Sequence, residues 1–158
     1  MVWAEVLADK SLQDLPYKIE LNGRGQIVMS PASNRHGLFQ AETVGHLQRL
    51  TRTGRVISEC SVDTADGVKV ADVAWLSARF VRKHRFETPY SMDPEICVEI
   101  VSPSNSQAEI SEKITLYLAK GAQEVWVCDG NGNMTFHHHA GELAKSKLVA
   151  RFPKTIEY

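Results

Sequence analysis

The sequence lacks any apolar stretch as long as a membrane-spanning helix, and its N-terminus lacks the basic and apolar segments of a secretory signal. It also has no excess of either charge, because Lys and Arg number 18, Asp and Glu number 19, and the formal net charge is -1. We therefore predict a cytoplasmic protein with no membrane partner. Any contact with a polyanion such as DNA must come from a local basic patch.

Cysteine is scarce, and its spacing disfavours the common metal and disulfide motifs. Cys60, Cys97 and Cys128 are far apart, form no CxxC pair, and lie within or beside apolar runs. We predict that they are reduced core residues. The chain also has no glycine-rich loop of the nucleotide-binding kinds.

The length and composition are those of one folded domain spanning residues 1–158. The sequence is 43% hydrophobic and 23% charged, with no internal repeat and no low-complexity segment. We therefore expect a packed core and no second domain.

The patterning predicts a mixture of helices and strands. Predicted helices cover 2–15, the segment from a cap at Ser33 or Asn34 to Leu50, and 106–120, which begins with a capping box of Ser106 and Glu109. The long connection 77–94 should contain a short helix or serve function. Predicted strands cover 17–21, 26–29, 55–62, 68–76, 95–101, 124–128 and 134–138, and the turn-prone residues 63–67 favour antiparallel pairing of the third strand with the fourth. This order predicts an α+β (α/β) fold with a mixed central β-sheet flanked by helices.

Two acidic residues interrupt apolar strand faces. At the strand period of two, Asp72 shares a face with Val68, Val70 and Ala74, and Glu99 shares a face with Cys97 and Val101. A carboxylate among apolar neighbours is costly unless a positive group neutralises it. A shared divalent cation would neutralise both, although each could instead bind a backbone amide or an arginine.

A lysine falls inside the apolar stripe of the predicted helix 106–120. The stripe consists of Ile110, Ile114, Tyr117 and Leu118. Lys113 lies at helical spacing within it, so its amine could be carried over the sheet towards the two acidic strands. Phosphodiester hydrolysis needs such a fixed positive charge, but a lysine can also bury its stem and extend its amine to water.

Three segments together resemble the Uma-type family of restriction-endonuclease-like proteins, a branch of the PD-(D/E)XK nuclease superfamily. They are IELNGRGQIVMSPASNRHG, VKVADVAWL and PYSMDPEICVEIVSPSNSQAEISEKITLYLAKGAQEVWVCD. The resemblance covers most of the chain and implies a restriction-endonuclease-like core.

The resemblance also implies roles for individual residues. Asp72 matches the superfamily's first metal-binding aspartate, with Ala71 where a proline usually precedes it, and Glu99 matches the acidic residue of the second half-motif. The strict motif would have lysine where this chain has Val101, and Lys113 in the following helix matches the displaced lysine.

Two further positions match the family. Glu20 matches an acidic position in the first hairpin strand, where a solvated strand face explains it equally well. His36 matches a histidine that follows the MSP segment, where a residue near a helix start often serves as a cap or lies on the surface. We expect both to support the site, His36 as a nucleic-acid contact.

Two charged segments lie outside this motif. Basic and aromatic residues alternate after the Asp72 strand, and Arg79, Arg82, Lys83 and Arg85 could contact phosphates or simply form a solvated helix face. The run His137, His138 and His139 lies in a predicted strand and is more typical of surface residues than of a metal site.

The sequence thus predicts a Mg²⁺-dependent endonuclease that hydrolyses DNA phosphodiester bonds, with Mn²⁺ as another usable ion. Asp72 and Glu99 would bind the metal, Lys113 would assist the attacking water, and Glu20 would help to hold the ion. The alternative is a non-catalytic nucleic-acid or protein binding module that keeps the nuclease fold. Cutting both strands requires two active sites, so a homodimer is a further hypothesis.

Overall fold

The computed structural model describes all residues, 1–158, as eight strands and four α-helices. The strands are β1 Tyr17–Leu21, β2 Ile27–Pro31, β3 Arg55–Thr64, β4 Gly67–Leu76, β5 Ile96–Ile100, β6 Glu124–Cys128, β7 Met134–His138 and β8 Gly141–Leu143. The helices are α1 Trp3–Ala8, α2 Asn34–Leu50, α3 Ala78–His84 and α4 Gln107–Ala119. No helix is both long and apolar enough to cross a membrane.

Six strands form one mixed sheet, and the other two form a separate hairpin. The sheet order is β3-β4-β5-β6-β7-β8, with β5 and β6 parallel and all other neighbours antiparallel. The parallel pair requires a crossover, which α4 supplies. The predicted α+β fold with a mixed sheet is confirmed, as is the antiparallel pairing of the strands around residues 63–67.

Both faces of the sheet are covered by apolar side chains. Phe39 and Leu47 of α2 pack on one face with Trp126 and Phe152, in a cluster of 13 buried residues. Tyr117 of α4 belongs to a second cluster, of 11 buried residues, on the other face. Each large apolar side chain contributes about 1.5–3 kcal/mol when fully buried. The central strands β4 and β5 are therefore fixed on both sides.

A serine side chain caps the N-terminus of each of the three longer helices. The Ser33 hydroxyl accepts a hydrogen bond from the His36 amide at 3.1 Å, and Ser77 accepts one from the Phe80 amide. Ser106 and Glu109 form the predicted capping box at the start of α4. These caps set the first residue of each helix, and they therefore set the direction in which His36 and the α4 side chains point.

The β1–β2 hairpin packs against the turn between β3 and β4. Leu21 and Val68 are buried together with Val6 of α1. Gly67 has φ +77, and a Cβ there would collide with the carbonyls of Leu21 and Asn22. Glycine is therefore needed at this position for the hairpin to approach, and the hairpin carries two residues of the site described below.

Three details differ from or extend the sequence predictions. The first helix ends at Ala8 instead of residue 15, because the Asp9 carboxylate accepts the Ser11 amide and a 3-10 helix, Lys10–Leu12, follows. Strand β8 was not predicted, nor was the packing of segment 144–158. All three cysteines are buried and unpaired, as predicted.

Candidate active site

Asp72 and Glu99 lie next to each other where β4 and β5 separate. The strands pair at Val73 and Val98, and continuing that register by one residue places Asp72 opposite Glu99. The ladder stops there because the Asp72 carboxylate accepts the Ile100 amide at 2.7 Å. The two carboxylates predicted to share a site are therefore neighbours, and both are buried.

The cation between them is a lysine that sequence reasoning missed. The Lys18 amine of β1 lies 3.2 Å from Asp72 Oδ1 and 3.1 Å from Glu99 Oε2. In β1 alone Lys18 alternates with apolar residues, which is also the pattern of a solvated strand face. Its burial depends on β4, a strand about 50 residues further along the chain.

Glu20 is part of the same cluster and is not solvated. It is 6% exposed and accepts the Val70 amide of β4 at 2.7 Å. It also receives the Lys113 amine at 2.9 Å. The hypothesis of a solvated face is wrong for Glu20, because the hairpin folds that face onto β4.

The Lys113 amine reaches the carboxylates from α4, as the stripe position predicted. It lies 3.5 Å from Glu99 Oε2 in addition to its contact with Glu20. One helical turn later, the Tyr117 hydroxyl donates to Glu99 Oε1 at 2.7 Å. The apolar stripe suggested only packing for Tyr117, so its polar contact was not foreseen.

Helix α2 holds Asp72 through two residues one turn apart. His36 is buried, with Nε2 3.3 Å from Asp72 Oδ1, and the Gln40 amide donates to the Asp72 carbonyl at 2.8 Å. The interpretation of His36 as a surface residue is therefore wrong, whereas its contact with nucleic acid stays a prediction. No pattern in the sequence singles out Gln40, which also donates to Glu59 Oε1 at 2.7 Å.

The Asp72 position interrupts the regular alternation of β4. Ala71 and Ala74 pack in the same cluster although they are three residues apart, which a regular strand does not allow. Glu59, across the ladder on β3, has φ +54, and Gln40 takes the Asp72 carbonyl that would otherwise face it. The prediction that Asp72 shares a strand face with both Val70 and Ala74 is therefore wrong in detail. The alternation of side chains between the two faces of β4 shifts by one residue at Asp72.

The surrounding charges keep Asp72 ionised. Burial raises the pKa of Asp72, but the Lys18 ammonium, the hydrogen bond from His36 and the Ile100 amide together lower that pKa to about 2. The hydrogen bond to Asp72 in turn raises the pKa of His36. Burial lowers the pKa of Lys18, yet the attraction of the carboxylates outweighs burial and raises it overall.

Glu99 experiences the opposite balance. Burial is the largest effect and raises the pKa of Glu99, and repulsion from Asp72 and Glu20 adds to it. Lys113 and Lys18 counteract this without cancelling it. Burial and the adjacent Glu99 also raise the pKa of Tyr117, which stays a hydrogen-bond donor.

The site opens into a small cavity between two larger ones. The cavity of about 20 Å³ is lined by Lys18, His36, Glu99 and Lys113 together with Ser102 and Asn105. A cavity of about 370 Å³ shares His36 and Ser102 with it, and one of about 430 Å³ shares Asn105. An extended substrate could therefore run past the carboxylates.

The donor atoms fit a divalent metal, but a lysine stands among them. Carboxylate oxygens are the ligands that Mg²⁺ prefers, and Asp72 and Glu99 already face one common cation. No group of three His, Cys, Asp or Glu side chains is arranged to hold a metal ion. Asp72 and Glu99 therefore match a metal in chemistry, whereas Lys18 occupies the bridging point.

The other predicted residues lie away from the cluster. The four basic side chains of segment 79–85 are exposed, and none of them lines the 20 Å³ cavity or bonds to its carboxylates. Arg85 borders a separate cavity of about 300 Å³. His137 contacts Thr135 Oγ1 at 2.9 Å, and His138 packs edge to face on His139.

Comparisons with known proteins agree with the fold and the motif. The model of the Uma2 family, described as "Putative restriction endonuclease", matches residues 9–155. The chain is similar in structure to a "putative nuclease belonging to DUF820" from Anabaena variabilis, with TM-score 0.64 and 22% identity over 76% of this chain and 71% of that one. That structure supports the fold alone. No curated protein matches the chain.

Proposed function

Because the chain belongs to the Uma2 family, we propose that it is a nuclease that hydrolyses DNA phosphodiester bonds with Mg²⁺ at Asp72 and Glu99. The observation that carries this proposal is the single cation position shared by the two carboxylates, beside the amine of Lys113. Mn²⁺ has the same preference for oxygen ligands and is the natural substitute.

Asp72 and Glu99 would hold the metal, and each is oriented by a different group. The Ile100 amide fixes Asp72 Oδ2, and the Tyr117 hydroxyl fixes Glu99 Oε1. The other oxygen of each carboxylate, Asp72 Oδ1 and Glu99 Oε2, faces the shared position. When bound, Mg²⁺ would supply Lewis-acid activation of the phosphate and of a water molecule.

Lys113 would position the attacking water and stabilise negative charge on the phosphate. Its amine is held between Glu20 and Glu99 and lines the cavity, so its direction is set before substrate arrives. A charge that is already oriented costs no reorganisation during the reaction. Glu20 would support the ion indirectly, because it holds Lys113 and is itself fixed by the Val70 amide.

The exposed basic residues of α3 and its end would contact DNA phosphates. Arg79, Arg82 and Lys83 are three and four residues apart and so share a helix side, and Phe86 beside them is 96% exposed. We expect Arg82→Ala to reduce the slope of log affinity for DNA against log salt concentration by about one. Fluorescence anisotropy at several salt concentrations measures this slope. The matched control is Lys145→Ala, which removes an exposed charge from the loop after β8.

A second candidate is a non-catalytic module that keeps the nuclease fold and binds nucleic acid or protein. One observation favours it: the two carboxylates are already bridged by a cation of the chain itself, the Lys18 ammonium. Such a module would bind DNA with equal affinity in Mg²⁺ and in chelator and would cut nothing.

Incubation of the purified protein with supercoiled plasmid and with single-stranded DNA tests the proposal. Cleavage should require Mg²⁺ or Mn²⁺, should stop with chelator, and should disappear in Asp72→Asn. Asp63→Asn is the matched control, because Asp63 is an exposed aspartate on the neighbouring strand. Plasmid that stays intact with wild-type protein in both metals would contradict the nuclease proposal.

A further inference from the structure

The Lys18 ammonium occupies the position that a metal ion would need. Its nitrogen is 3.2 Å from Asp72 Oδ1 and 3.1 Å from Glu99 Oε2. Mg²⁺ binds oxygen at about 2.0–2.1 Å, so an ion bridging the same two oxygens would lie nearly where this nitrogen lies. Both cannot be there together.

We propose that Lys18 is an internal counter-ion that competes with the divalent metal for Asp72 and Glu99. In the metal-free protein its single positive charge bridges the two buried carboxylates, and metal binding displaces its amine into the adjoining cavity. This inference rests on the proposed function, because it assumes that the metal site is the one between these carboxylates.

The charges of the cluster support an exchange of cations. Three carboxylates, Glu20, Asp72 and Glu99, face two ammonium groups, Lys18 and Lys113. Adding a divalent ion while both lysines stay would place three cations within a few ångströms, and their repulsion is strong where water is excluded. Removing one ammonium from the cluster relieves most of that repulsion.

Of the two lysines, Lys18 is the one that is free to leave. Lys113 has its shortest contact, 2.9 Å, with Glu20, which accepts no hydrogen bond from Lys18. Lys18 has contacts only with the two proposed metal ligands, and it comes from the hairpin outside the main sheet. A lysine carries its charge on a flexible four-carbon stem, so its amine can move without moving the strand.

The displaced amine has a place to go. Lys18 lines the 20 Å³ cavity together with Ser30 and Ser102, whose hydroxyl groups can accept a hydrogen bond. This cavity adjoins the two larger ones that could hold an extended substrate. A displaced ammonium would therefore face the substrate, where it could meet a phosphate oxygen.

Isothermal titration calorimetry with MgCl₂ or MnCl₂, without DNA, tests the competition. Lys18→Met keeps the stem and removes the charge, and it should bind metal about tenfold or more tightly than wild type. Lys69→Met is the matched control, because Lys69 is also buried but pairs with Asp66; its affinity should match wild type. The tighter binding should vanish in Lys18→Met/Asp72→Asn. Equal or weaker binding by Lys18→Met would overturn the proposal.

A second measurement uses the wild-type chain and does not depend on a variant that folds. A brief pulse of acetic anhydride followed by mass spectrometry gives the reactivity of each lysine. Saturating Mg²⁺ should raise the reactivity of Lys18 several-fold and leave Lys69 unchanged. If calorimetry shows bound metal and Lys18 reactivity does not rise, the displacement is refuted.

The two proposals fail in different ways. If the nuclease proposal alone is wrong, metal binding still depends on Asp72 and tightens in Lys18→Met, but DNA stays uncut. If the competition alone is wrong, wild type cuts DNA with Mg²⁺ while Lys18→Met binds metal no more tightly.

Discussion

Two buried glutamates on adjacent parallel strands have different kinds of partner. Glu99 of β5 is 3% exposed and is held mainly by the amines of Lys18 and Lys113 and the Tyr117 hydroxyl. Glu124 of β6 is 2% exposed and accepts four neutral donors. These are Trp126 Nε1, Ser146 Oγ and the amides of Lys147 and Leu148.

The difference separates a structural carboxylate from an exchangeable one. The donors to Glu124 are backbone amides and short side chains that cannot move away, so Glu124 fastens segment 146–148 to the sheet. Of the ammonium groups at Glu99, that of Lys18 sits on a flexible stem, and under the proposed exchange a divalent cation would replace it. Burial alone therefore does not separate the two glutamates, whereas the chemical type of their partners does.

The largest expected effect is on cleavage at the exchangeable site. Asp72→Asn should reduce Mg²⁺-dependent plasmid cleavage by about a thousandfold or more, because the position loses a charged oxygen aimed at the metal. Gel quantification of nicked and linear plasmid over time gives the rate. The Glu124→Gln variant, measured at a temperature at which it is folded, should cleave plasmid at a rate within a few-fold of wild type. A loss as large as that of Asp72→Asn would contradict the distinction between Glu124 and the carboxylates of the site.

Removal of the Lys113 charge should have the next largest effect. Lys113→Met keeps most of the stem packing, and we expect cleavage to fall about a hundredfold, the usual cost of one oriented charge. Circular dichroism should show an unchanged fold. A cleavage rate within a few-fold of wild type would mean that Lys113 has only a structural role as the partner of Glu20 and Glu99, and Lys69→Met supplies the comparison for loss of a buried lysine.

Glu124 should matter most for stability. Glu124→Gln replaces one acceptor oxygen by an NH₂ group that must face donors, so the free energy of unfolding should drop by about 3 kcal/mol. Urea denaturation measures this drop. Glu99→Gln, the matched change on β5, should cost less, because Lys18 and Lys113 keep Asp72 and Glu20 as partners. An equal loss in both variants would contradict the comparison.

A third buried carboxylate, that of Asp93, should make the stability of the protein depend on pH. Both oxygens of Asp93 are buried without a hydrogen-bond partner, and burial raises its pKa to about 8. The folded pKa exceeds the usual value of 3.8. The stability that the neutral form contributes is therefore complete below about pH 4 and is lost as the pH rises through 8.

Asp93→Asn removes this titration. Relative to the variant, the wild type should lose about 1–2 kcal/mol of unfolding free energy between pH 5 and pH 8, less than the full shift implies because water can relax around the charge. Thermal unfolding at several pH values measures the difference. A difference that does not change with pH would show that Asp93 is solvated or paired.

Much of the fold was predictable because it depends on local signals. The Ser106 and Glu109 capping box, the stripe that includes Lys113, and the turn at residues 63–67 each lie within one short segment. Asp72 and Glu99 could be singled out because a carboxylate on an apolar face stands out in a single strand. The resemblance to the Uma-type family added Glu20 and His36, which the residues alone left as surface positions.

The rest of the site depends on contacts that no single segment reveals. In the sequence of β1 alone, Lys18 has the pattern of a solvated strand face, and only the packing of the hairpin against β4 buries it. Gln40 acts on a backbone carbonyl, which leaves no mark on the sequence of β4. The change of phase at Asp72 needs the distorted Glu59 across the ladder, and strand periodicity assumes that such distortions are absent.

The hairpin that carries Lys18 and Glu20 also sets when the site can form. Lys18 meets Glu99 across 81 positions of the chain and Glu20 meets Lys113 across 93, whereas Glu99 and Tyr117 are 18 apart. Contacts between distant positions close large loops and form slowly. During refolding, the β5–α4–β6 unit should therefore assemble first, before Lys18 reaches Glu99. DNA cleavage should then recover later than the helical circular dichroism signal.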